Sequence, residues 1–318
     1  MKYGSVDGVS KNMSRLVQGT IMLTQSKVDA GFDLLDGVSS LGCTTFDCAH
    51  VYAGGQAERV VGKWMEARGN RSDVVIISKG AHHNADRRRV TPFDIASDLH
   101  DSLARLRTDH IDLYLLHRDD PAVPVGPIVE ALNEHHTLGR IGAFGGSNWS
   151  HERIQEANAY AEARGLVSFA ASSPNYTLAQ QAEPPWEGCI SLSGKEGDTA
   201  RKWYGESSFP MFTWSTLAQG FLTGRLTREN LEAERANFPE SCIRSYATEE
   251  NFQRLDRLTE LAEKKGVTIP QLALAWVHAQ GLNVFTLIGC FTVNEFKANL
   301  LALDIALTED EVAWMDLR

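Results

Sequence analysis

Eight short runs of β-forming apolar residues recur along the 318 residues of this chain, and helical patterns fill the gaps between them. The runs are Leu16 to Leu23, Thr44 to Ala49, Val74 to Ser78, Ile111 to His117, Ile141 to Ser147, Ser168 to Ser173, Met211 to Thr216 and Val284 to Ile288. Several are apolar without alternation (VVIIS, IDLYLL), which suits parallel strands covered on both faces. In the intervals, Ile95, Leu99, Leu103 and Leu106 share one helical face, as do Leu255, Leu258 and Ala262. Start signals agree: Thr91 before Pro92, Ser150 ahead of the fifth helix, and Thr308 with Glu311 as a capping box.

Strand and helix alternating over the whole length predict βαβ units and a parallel sheet. An open, doubly wound sheet would normally carry GxGxxG directly after an early strand, and no such motif is present. A (β/α)8 TIM barrel, one α/β domain over residues 1–318, is therefore the expected fold, with its site in the loops after the C-terminal strand ends. Two segments, 176–208 and 218–247, are long for connections in such a domain and are expected to be substrate and cofactor loops.

The formal charge of −10 argues against nucleic acid and anionic membrane surfaces, both of which attract clustered Lys and Arg. The first residues lack the apolar core of a signal peptide, and no stretch approaches the roughly 18 apolar residues of a membrane span, so a cytoplasmic location is expected. Cys43, Cys48, Cys189, Cys242 and Cys290 are scattered without metal-ligand spacing and read as reduced thiols. No metal is expected, and a small molecule is the default partner; nothing in the residues speaks to oligomeric state.

The polar residues at the strand ends carry the chemistry. Asp47 closes the second run, Tyr52 follows it, Lys79 ends the third and His117 the fourth. An ammonium beside a phenol favours the phenolate, so Lys79 is expected to lower the Tyr52 pKa from about 10 and make it a usable acid. Asp47 would keep Lys79 charged, and His117 would hydrogen-bond a substrate oxygen. None of these is a nucleophile or a metal ligand, so the bond-making falls to a cofactor.

The segments TTFDCAHVYAGGQAE, IISKG, IDLYLLHRDDP, GGSNW and PQLALAWVHAQG resemble, in order and spacing, the signature segments of the aldo-keto reductases. The resemblance implies hydride exchange between a nicotinamide cofactor and an aldehyde or ketone, with Asp47, Tyr52, Lys79 and His117 as the catalytic set. It implies that Ser147, Asn148 and Ser173 hold the carboxamide, although Ser173 stands where many members carry Gln. Trp214 would stack on the nicotinamide, Ser215, Leu217 and Gly220 would wrap the pyrophosphate, and Gly289, Thr292, Glu295 and Asn299 would lie near the adenosine. NADPH is the cofactor the resemblance implies; NADH is the alternative, because Glu295 repels a 2′-phosphate and Lys297 is the only nearby base in the sequence.

Trp149, Trp186 and Tyr246 are candidate walls of the substrate pocket, or else anchors of their own loops. His82-His83 and His135-His136 read as surface residues, since adjacent positions do not converge on a metal. Arg87, Arg88 and Arg89 read as a solvated run that an acidic substrate would touch only as the less favoured reading. A second functional class stays open: a nicotinamide-binding regulatory or redox-sensing subunit with little turnover, of the channel-associated β-subunit kind. A metal-dependent barrel hydrolase is a third, for which the strand ends offer His117 as their single histidine.

Overall fold

A computed structural model describes all 318 residues. Eight parallel strands close into a barrel: β1 (Leu16–Gly19), β2 (Thr45–Asp47), β3 (Val75–Gly80), β4 (Ile111–Leu116), β5 (Ile141–Ser147), β6 (Ala171–Ser173), β7 (Met211–Thr213) and β8 (Val284–Ile288). Each strand pairs with the next in the chain, and β8 returns to β1 with Thr286 opposite Leu16. All eight predicted runs hold a strand, some shorter than the run; residues 20–23, for instance, already turn, with the Leu23 amide donating to Thr20 O.

Helices α1 (Val28–Ser40), α2 (Gln56–Arg68), α3 (Pro92–Leu106), α4 (Val125–Thr137) and α5 (His151–Ala163) each follow a strand and cover the barrel. The remaining long ones are α6 (Asp198–Ser207), α7 (Glu249–Lys265), α8 (Ile269–His278) and α9 (Val293–Leu300). The expected caps form: Thr91 accepts from the Asp94 amide, Ser150 from that of Arg153, and Thr308 with Glu311 closes a box on the last short helix. The two long segments are not simple loops. Residues 198–207 are α6, the crossover helix a parallel β6–β7 step needs, and 218–247 is largely short helical turns, at Ala218–Thr223, Leu231–Glu234 and Glu240–Tyr246.

The barrel interior is packed rather than open. Val17, Val75, Ile77, Leu113, Leu115, Phe212 and Phe285 form one buried cluster, with the Phe212 and Phe285 rings stacked at 4.7 Å. Val6, Val9 and Met13 complete that cluster from below. They belong to a hairpin of two-residue strands, Tyr3–Gly4 and Met13–Ser14, absent from the sequence expectations. Lys11 of its loop donates to Val74 O at 2.6 Å and to Asp112 at 2.9 Å, which pins the hairpin to the N-terminal strand ends. The floor is thereby closed, and the mouth is left for chemistry.

Close strand approach explains one glycine. A Cβ on Gly145 would stand 1.9 Å from Ala171 O across the β5–β6 ladder, so backbone itself would have to move. Gly145→Ala is expected to lose about 3 kcal/mol in a denaturant titration, the upper end of overpacking costs; an unchanged midpoint would refute so tight a pairing.

Candidate active site

Four elements bring the proton-handling groups to one mouth. Asp47 is the last residue of β2, Lys79 the penultimate residue of β3, and His117 follows β4, its amide held by Gly80 O at 2.7 Å. Tyr52 opens a turn in which Gly54 and Gly55 take φ of +62° and +83°, conformations that glycine adopts without strain. Arg105 of α3 braces this turn by donating to His50 O at 2.9 Å.

Lys79, only 2% exposed, donates to the Asp47 carboxylate, to Tyr52 Oη at 3.1 Å and to Cys48 O at 3.4 Å. Tyr52 Oη in turn donates to Asp47 Oδ2 at 3.4 Å. The His117 ring stands edge-on to Tyr52 with centroids 5.8 Å apart. Ammonium, carboxylate, phenol and imidazole thus share one desolvated corner.

Their protonation follows from that corner. Burial pulls the Lys79 ammonium down, yet the Asp47 charge and then Tyr52 outweigh it and hold Lys79 above its ordinary value. Burial pushes the Asp47 carboxyl up while Lys79 pulls it back. Tyr52 runs against the expectation: burial, followed by the neighbouring Asp47 charge, exceeds the pull of Lys79, and the phenol is pushed up to about 12. The sequence reading weighed the ammonium without its counter-ion, which acts on the phenol as well. Burial, then Lys79, His82 and Arg118, depress His117 far below the usual histidine range, so its imidazole is neutral and its buried Nδ1 finds no partner in the chain.

A cavity of about 360 Å³ opens above these groups, walled by Tyr52, Lys79, His117, Ser147, Asn148, Trp186 and Trp214. Ser147 Oγ donates to Ser173 O at 3.1 Å, and Asn148, at φ +56°, donates through Nδ2 to His117 O at 3.4 Å. The Trp214 ring is stacked by Trp186 at 4.8 Å, and its Nε1 donates to Ser173 O at 3.2 Å. Ser215 and Leu287 also line a second cavity of about 610 Å³, which makes the two contiguous. Leu217, Gly220, Gly289, Glu295 and Asn299 line this second space.

Four expected contacts fall elsewhere. Ser173 points away and donates to Phe212 O at 2.7 Å, which leaves its hydroxyl engaged. Thr292 lines neither cavity; its hydroxyl caps α9 by accepting from the Glu295 amide. Trp149 is fully buried against Phe169, its Nε1 donating to Arg118 O at 3.1 Å, and Tyr246 is fully buried with its hydroxyl accepting from Gln181 Nε2 at 3.0 Å. Both aromatics anchor loops, because burying the ring and satisfying its one polar atom leaves nothing for a ligand.

Other residues enter the site that sequence reasoning passed over. His82 is half-buried and lines the first cavity with its ring 4.8 Å from His117, rather than standing in open solvent; His135 is buried, edge-on to His100. Arg118 lines the first cavity and Arg225 the second. The Arg87–Arg89 run is paired internally, Arg87 to Asp94, Arg89 to Asp98, and Arg88 to Asp120 and Glu187. A signal for Arg118 existed, a cation directly after a strand-end histidine, whereas Arg225 reaches its cavity only through the folding of a long connection.

The family model described as "Aldo/keto reductase family" matches residues 15–317. A rice protein named "Probable voltage-gated potassium channel subunit beta" is 30% identical over 316 residues, covering 96% of this chain and 92% of that one. "Aldo-keto reductase str7" of Strobilurus tenacellus is 30% identical over 297 residues, covering 90% of this chain and 80% of its own. Among solved structures, the thermostable aldo-keto reductase Tm1743 superposes with a TM-score of 0.75 at 23% identity, over 100% of this chain and 99% of the other, a likeness of fold. No helix is long and apolar enough to cross a membrane.

Proposed function

Since the chain belongs to the aldo/keto reductase family, nicotinamide-dependent oxidoreductases that act on carbonyl groups, we propose that it reduces a small aldehyde or ketone with Tyr52 as the proton donor. The observation that carries this reading is the run of contacts from Asp47 through Lys79 to Tyr52 Oη at the cavity floor.

The contiguous cavities fit a dinucleotide. Trp214 offers an aromatic face, and the left-handed backbone at Ser215, Ala218, Gln219 and Gly220 curls the chain along the second cavity. Arg225 and Asn299 line that cavity, while Ser147 and Asn148 present polar side chains in the first. When bound, such a cofactor supplies the hydride equivalent. Tyr52 gives its proton to the substrate oxygen, and neutral His117 holds that oxygen by a hydrogen bond. Lys79 acts on what remains: a phenolate 3.1 Å from a buried ammonium is stabilised as it forms, and Asp47 keeps that ammonium in place.

A Tyr52 pKa near 12 sets the pH behaviour. Reduction needs the protonated phenol, which predominates below that value, so its rate stays level from neutral to moderately alkaline pH. Oxidation of the corresponding alcohol needs the phenolate and climbs as pH rises toward the same value. Rate profiles in both directions test this; a reduction rate that falls through neutral pH would give the proton to another group.

NADPH is the cofactor this reading favours. The Glu295 carboxylate is engaged by the Phe291 amide at 2.7 Å, and Arg225 pairs with no carboxylate, lying instead over Phe238 at 5.3 Å. Quenching of tryptophan fluorescence is expected to give NADPH an affinity roughly tenfold above NADH, the effect of about one ion pair. A second reading, a nicotinamide-binding regulatory subunit, draws on the rice relative's name; bound cofactor without multiple turnover on any aldehyde would favour it.

A further inference from the structure

The catalytic cavity holds a cation that the proton-handling groups do not use. Arg118 lines both that cavity and a neighbouring polar hollow bounded by His83, Asn148 and Arg153. The acids around it are committed to other arginines: Asp119 to Arg153 at 3.2 Å, and Asp120 and Glu187 to Arg88 at 3.3 and 2.9 Å. The Arg118 side chain makes a single hydrogen bond within the chain, from Nη1 to His117 O at 3.3 Å. A guanidinium carries five N–H donors, so most of its capacity is unspent.

Charge and shape narrow what would use it. Lys79 is balanced by Asp47 and His117 is neutral, so Arg118 leaves a surplus positive charge on the wall, in a chain whose overall charge is −10. The guanidinium lies over the Trp186 ring at 5.2 Å, and its planar fork of donors matches a carboxylate bidentately. Trp186 Nε1, in the same wall, is buried without a partner. A cavity of about 360 Å³, part of which a nicotinamide ring would fill, leaves room for a chain of only a few carbons.

We propose that Arg118 is a substrate-specificity residue that receives the carboxylate of a short oxo acid, whose carbonyl oxygen then sits between Tyr52 and His117. The proposal rests on the carbonyl-reductase reading above for its chemistry. Hydride from the reduced nicotinamide cofactor goes to the carbonyl carbon, the proton from Tyr52 goes to the oxygen, the carboxylate is unchanged, and a hydroxy acid leaves.

Calorimetric titration with butanoate and with butanamide, similar in shape and different in charge, reads the site without turnover. Butanoate is expected to bind about 10- to 100-fold more tightly, and Arg118→Gln to abolish the difference. Equal binding of acid and amide, or a preference that survives in Arg118→Gln, would overturn the proposal. Arg118→Lys keeps the charge without the fork; if the Gln variant does not fold, an undiminished preference in the Lys variant counts against the proposal and a reduced one supports it. Tighter binding of propyl phosphate than of butanoate would reassign the cation to phosphorylated aldehydes and reject the carboxylate.

Turnover of succinic semialdehyde against butanal separates the two levels of inference. A chain that distinguishes acid from amide yet reduces neither aldehyde refutes the reductase reading and leaves Arg118 assigned. One that reduces butanal without preferring the oxo acid does the reverse.

Discussion

Tyr52→Phe lowers turnover by roughly 10²- to 10⁴-fold, the usual worth of a positioned proton donor, while cofactor affinity stays within about twofold. The substitution removes one oxygen and keeps the ring, so the edge-on contact with His117 at 5.8 Å is retained. Lys79 loses the acceptor at 3.1 Å but keeps Asp47 and Cys48 O, which holds the corner together. Trp214 and Ser215, which line the cavity and are proposed to hold the cofactor, are untouched. Fluorescence titration alongside steady-state kinetics separates the two effects; near-normal turnover in the variant would remove Tyr52 from the reaction.

Removing the counter-ion has a different signature. Asp47→Ala leaves the Lys79 ammonium 2% exposed with only a phenol and a carbonyl for company, and stripping one partner from a buried pair costs about 3–5 kcal/mol. Without Asp47, burial is the dominant influence on Lys79 and drives its pKa below the unfolded value of about 10.4. The unfolded state then binds more protons than the folded one, so the stability of this variant rises with pH between the depressed pKa and that value. Asp47→Ala with Lys79→Met replaces the orphaned charge by an apolar chain and recovers most of the loss without restoring turnover. Denaturant titrations at several pH values read both outcomes, and a single variant as stable as the parent would show that the pair is not desolvated.

What the sequence disclosed was governed by periodicity and by strand ends. The apolar runs that hold the longer barrel strands, β3 and β4 above all, stand out from helices, and the proton-handling residues sit at or just beyond the ends of such runs. The hairpin of residues 3–14 was illegible because its strands are two residues each and its segment, rich in Gly and Ser, reads as a loop. Trp149, Trp186 and Tyr246 looked alike as aromatics near the mouth; which ring faces a cavity depends on loop conformation, and only Trp186 does. The Tyr52 pKa was misjudged for a related reason. Its sign rests on burial first and then on distances to two opposite charges, and these come from folding rather than from spacing.

The hairpin under the barrel also bears on how the molecule assembles. It precedes every barrel strand, so it is synthesised first, yet the surface it docks on is drawn from strands as distant as β8. Contacts of such long sequence separation are slow to form, and nothing rewards them until the ring has closed. Residues 3–14 are thus expected to settle only after the ring is made, with the apolar undersides of Val17, Val75 and Leu113 bare in earlier species.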